Sequence, residues 1–130
     1  MKFAKGVFWV AAVWGFLVIT PLFFLFDKIG AQDPPPITHP GFYYGFVIVA
    51  LAWQAAFVVI ARDPVRMRPI MLAAMLEKFG YAIVVIGLYL QARMKAPDLV
   101  LGIVDGLFGV LFVMAWAKTK AVAGSTAAAA

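Results

Sequence analysis

Four polar side chains interrupt otherwise apolar stretches of this sequence: Gln54, Glu77, Lys78 and Asp105. Carboxylate, ammonium and amide groups are the types that hold ligands or protons, or that satisfy one another. A charge at the centre of a lipid-embedded helix costs about 2.5–3.5 kcal/mol on insertion scales, so such residues default to functional candidates. Glu77 and Lys78 are adjacent and so lie about 100° apart around a helix, which turns them toward different neighbours. Gln54, in the preceding apolar stretch, and Glu77 each lie about 10 Å from the same boundary at 1.5 Å per residue. The two are therefore predicted to hydrogen-bond across the hairpin that joins their segments. Asp105 lies about 9 Å in from the opposite boundary, and a lysine stem reaching toward it closes most of the axial gap from Lys78. Trp14 and Trp53, near the depth of Gln54, add aromatic surface. The expected ligand-binding set is thus Gln54, Glu77, Lys78, Asp105, Trp14 and Trp53. The competing structural reading has Glu77 and Lys78 neutralising each other, with Lys78 snorkelling to water. Asp105 would then pair with Thr20 or with the hydroxyls of Tyr43 and Tyr44.

Other residues carry less specific chemistry. Arg62, Arg66 and Arg68 form a basic cluster suited to anionic lipid headgroups. Met67, Met71 and Met75 recur at helical spacing; thioethers bind Cu(I), yet such a stripe is ordinarily packing surface. His39 is the sole histidine, which excludes bis-His haem and multi-His zinc sites within one chain. The chain has no cysteine, so thiolate metal sites and thiol chemistry are excluded. No serine lies within an apolar stretch and no Gly-rich phosphate loop is present. Neither a catalytic set, nor a metal, nor a cofactor is expected.

The elements that must position these groups follow from composition. Of 130 residues, 65% are hydrophobic and 13% charged, with a mean hydropathy of +0.99. A chain of this size cannot bury so much apolar surface within itself. Four apolar stretches, 6–26, 41–61, 69–90 and 97–116, each match the roughly 20 residues a helix needs to cross the hydrocarbon. No ten-residue alternation suggests a membrane strand, and backbone groups in lipid must be satisfied internally. The expected fold is an all-α, antiparallel four-helix membrane bundle over residues 1–120, followed by a disordered tail at 121–130. The first stretch is too long for a secretory signal and is read as an uncleaved span. Short second and third connections make the second, third and fourth helices expected neighbours, and Thr20-Pro21 is expected to kink the first.

Charge sets the orientation. Lys2, Lys5, Arg62, Arg66, Arg68, Lys118 and Lys120 fall on one side of the spans, and Lys28, Arg93 and Lys95 on the other, seven against three. That bias places both termini in the cytoplasm. The net charge of +5 sits at span ends, which points to membrane lipids and away from nucleic acid. Gly41 and Gly45, and Gly102, Gly106 and Gly109, form small-residue patterns that let helices approach closely, within the chain or between copies.

The strings His39-Pro-Gly-Phe-Tyr-Tyr-Gly-Phe46, Trp53-Gln54, Arg62-Asp-Pro-Val-Arg-Met-Arg-Pro69 and Glu77-Lys-Phe-Gly80 resemble those of a group of small bacterial four-helix integral membrane proteins. The resemblance covers nearly the whole chain. It implies a multi-pass protein of the bacterial cytoplasmic membrane and carries no activity with it. The layout is also similar, as architecture alone, to the EXPERA domains of sterol isomerases, and no catalytic residue is carried over. The leading expectation is a binding module for a small hydrophobic or amphiphilic molecule. The alternatives are an accessory or scaffold subunit of a larger membrane complex, and a small proton- or ion-coupled transporter acting as a homo-oligomer. A membrane enzyme using Glu77 or Asp105 as acid or base ranks behind these.

Overall fold

The computed structural model describes residues 2–129. Five α-helices follow in order: α1 (Lys2–Ile19), α2 (Phe26–Gln32), α3 (Pro40–Arg62), α4 (Ile70–Leu90) and α5 (Ala96–Ala129). Four of them, with α1 continued through Phe24, are long and apolar enough to cross a membrane, which makes this a multi-pass membrane protein by length and composition. The expected bend after Thr20 takes a definite form. Pro21 lacks the N–H an α-helix needs, and the chain tightens into a 3₁₀ turn over Thr20–Phe24. The first connection contains α2. Its outer stretch is tied to the third connection by an exposed ion pair from Lys95 Nζ to Asp33 Oδ1 at 2.7 Å.

Helix ends are set by local chemistry. Pro40 occupies the first turn of α3, where a missing N–H costs nothing. At the end of α4, Arg93 N–H bonds the Leu88 carbonyl at 2.9 Å and Ala92 N–H the Tyr89 carbonyl at 2.9 Å. Ala92 adopts φ 57°, so the pattern is a Schellman motif with alanine where glycine is usual. Residues 121–129, expected to be disordered, continue α5 as helix to Ala129; Ala130 lies outside the described residues. Alanine has the highest helix propensity, and extension of an existing helix avoids the cost of nucleation.

Packing pairs α1 with α3 and α4 with α5, and α1 against α5 joins the two pairs. The expected close contact of the second and third spans is absent: α3 and α4 touch only sparsely, although residues 63–69 alone join them. Glycines explain the tightness of α4 on α5. A Cβ at Gly102 would lie 2.7 Å from Val85 Cγ1, and one at Gly109 2.7 Å from Phe79 Cε1. The α5 glycine pattern therefore serves packing within the chain. Gly41 and Gly45 on α3 have open space at the Cβ position.

The core lies in the half of the bundle that carries the termini. Phe8 of α1, Phe57 of α3 and Phe112 of α5 meet there with complete burial. Phe8 stacks on Phe112 at 4.3 Å between centroids, and Phe57 meets Phe112 edge-on at 5.2 Å. Met71 is buried against this core, flanked by Met67 and Met75, so the methionine stripe is packing surface. The Arg68 guanidinium covers the Trp116 ring at 4.0 Å, and its Nε donates to the Trp116 carbonyl at 3.0 Å. That contact fastens the α3–α4 connection to α5.

Candidate functional site

Lys78 projects from α4 toward α5. Its Nζ lies 3.3 Å from Asp105 Oδ1 and 3.5 Å from Glu77 Oε2. The lysine side chain is 4% exposed, against 21% for Glu77 and 15% for Asp105. Phe57 and Phe108 flank the ammonium, with ring centroids at 5.3 and 5.8 Å. Lys78 thus sits where the aromatic core ends, with a carboxylate from its own helix and another from α5 on the side away from that core. The predicted approach of Lys78 to Asp105 is present, and Thr20, Tyr43 and Tyr44 are not the partners of Asp105.

Beyond this triad the bundle opens. A cavity of about 470 Å³ occupies the half of the molecule away from the termini, and every helix contributes to its wall. Sparse contact between α3 and α4 leaves this space. Leu22 of the 3₁₀ turn and Ile29 of α2 line it as well, so the bent end of the first span covers the cavity. The Tyr43 hydroxyl donates to the Leu22 carbonyl, and Phe26 packs edge-on to Tyr43 at 5.1 Å and stacks on Tyr44 at 5.3 Å. These contacts hold α2 against α3.

Of the six residues expected at a ligand site, Trp14, Trp53, Glu77, Lys78 and Asp105 line this cavity. Gln54 does not. Its Nε2 donates to the Ala50 carbonyl of its own helix at 2.9 Å, and its side chain lies against Gly15, where an added Cβ would fall on the amide. The predicted Gln54–Glu77 hydrogen bond is absent, because Gln54 faces α1. Its Oε1 is buried without a hydrogen-bond partner among the described residues. The intramembrane polar groups that come together are therefore Glu77, Lys78 and Asp105.

Three polar lining residues were not expected at the site: Tyr43, Tyr81 and Asp98. Spacing carried a signal for two of them. Tyr81 follows Glu77 by one helical turn, and Asp98 precedes Asp105 by two turns on the same face. On the terminal side, Arg62 and Arg66 are exposed, whereas Arg68 is committed to Trp116. His39 is exposed beside the Phe42 ring.

No protein family matches this chain, and neither the curated proteins nor the solved structures contain a match. The functional argument therefore rests on the cavity and its lining.

Proposed function

We propose that this small multi-pass membrane protein is a binding module for a small amphiphilic molecule, held in the cavity between α1, α3, α4 and α5. The observation that carries the reading is the placement of the charged triad. A pair kept only for packing would be sealed between helices. Here both carboxylates retain exposure, and the surface they reach is a cavity of about 470 Å³ walled by tryptophan, tyrosine and aliphatic side chains. That volume lies within the range of small-molecule sites, which are mostly apolar with a few convergent polar groups. The Lys/Arg bias and the resemblance noted above support the bacterial cytoplasmic membrane, with both termini inside and the cavity half toward the exterior. Exposed Arg62 and Arg66 suit anionic lipid headgroups at the inner face. The accessory-subunit alternative draws on Gly41 and Gly45, whose open surface on α3 admits another helix.

The test uses the neutral dye N-phenyl-1-naphthylamine and the full chain in phosphatidylcholine nanodiscs, with empty nanodiscs as background. Saturable fluorescence enhancement at one dye per chain is expected, and Leu101→Trp, which fills the cavity from α5, abolishes it while circular dichroism is unchanged. Binding indistinguishable from empty nanodiscs, or insensitive to Leu101→Trp, overturns the proposal.

A further inference from the structure

The charges on the cavity wall do not balance. Glu77, Asp98 and Asp105 contribute carboxylates, and Lys78 is the sole basic residue among the lining side chains. The nearest basic group of the third connection, Lys95, is held by Asp33. Lys78 is engaged by both deep carboxylates at 3.3 and 3.5 Å, so one ammonium is shared between two acids. Glu77 Oε2 accepts no hydrogen bond among the described residues even so. Asp98, in the first turn of α5, stands about 10 Å nearer the outer end than Asp105. Acidic groups thus occur at both levels of the cavity wall. Trp14, Tyr43, Trp53 and Tyr81 share that wall, and aromatic π-faces attract cations.

We propose that the occupant of this cavity is a lipophilic organic cation: a single ammonium-type charge on an apolar, largely aromatic or branched body. The inference rests on the binding-module reading and adds the chemical class of the ligand. The charged head lies beside Glu77 and Asp105, where it completes the neutralisation that Lys78 alone leaves unfinished. The body lies against the aromatic and aliphatic wall, and Asp98 adds a third carboxylate to the attraction. An anion of the same shape meets three carboxylates in a low-dielectric space and is excluded.

Tetraphenylphosphonium and tetraphenylborate differ in charge sign and hardly in shape. Isothermal titration of each into the full chain in phosphatidylcholine nanodiscs, corrected for empty nanodiscs, tests the inference. Tetraphenylphosphonium is expected to bind one per chain and about tenfold or more tighter than tetraphenylborate. Asp105→Asn weakens the cation severalfold. Asp98→Asn, which touches no partner of Lys78 and so leaves the triad intact, weakens it as well. Equal or tighter binding of the borate overturns the inference, because it means the surplus carboxylates are neutral. Cation affinity unchanged in both variants overturns it too. If neither ion binds while the neutral dye does, the ligand class is wrong and the cavity site stands. If the dye also fails, the binding-module reading falls with it.

Discussion

Lys78 holds two carboxylates apart from the hydrocarbon, and its loss leaves both without a counter-ion. Lys78→Met should therefore lower stability by about 3–5 kcal/mol, the usual cost of breaking a buried ion pair on one side. Lys78→Met/Asp105→Leu strands Glu77, and Glu77→Leu/Lys78→Leu strands Asp105. Each should therefore recover only part of that loss, by leaving one carboxylate without a counter-ion in place of two. Thermal unfolding of the three variants in one detergent gives the order directly; equal stability of all three would refute a shared ammonium. The triad was legible in part before any coordinates. Depth along the helices brings Lys78 near Asp105, and the four-carbon stem of lysine tolerates an error in rotation about the axis. Gln54 has a short amide and tolerates no such error, so equal depth with Glu77 did not bring the two together.

At the scale of the elements, glycines decide which helices pair. Gly102 and Gly109 admit Val85 and Phe79 of α4 at distances where a methyl group clashes. Val85 is β-branched and stiff on its helix, so Gly102→Ala should destabilise the α4–α5 pair by about 1–3 kcal/mol. Gly45→Ala, in open space, should be neutral or gain up to about 1 kcal/mol from helix propensity. Chemical denaturation of the two variants beside the parent chain checks the contrast. A large loss at Gly45 instead would show that this face of α3 is occupied in the membrane. Both glycine patterns read alike along the chain, and only the packed structure separates a used face from an unused one. The Schellman end of α4 was illegible for a related reason: alanine at the left-handed position leaves no glycine to read.

Across the whole molecule the two halves divide their work. Aromatic core and the Arg68–Trp116 contact make the terminal half rigid, and the opposite half keeps space between α3 and α4. The orientation of those halves is testable because the chain has no native cysteine. Gln32→Cys, at the end of α2, should react with an impermeant maleimide on intact cells. Arg66→Cys should react only after the membrane is opened. The reverse pattern would invert the topology inferred from the Lys/Arg bias.

Span number, span limits to within a few residues and the inventory of intramembrane polar groups are local properties of composition, and the chain alone determined them. Helix rotation and helix partnership are not local. Seven connecting residues make α3 and α4 antiparallel, yet α4 packs closely on α5 at Gly102 and Gly109 and only sparsely on α3. Sparse α3–α4 contact leaves the cavity, and the cavity, rather than any motif, makes Glu77, Lys78 and Asp105 the wall of a candidate site.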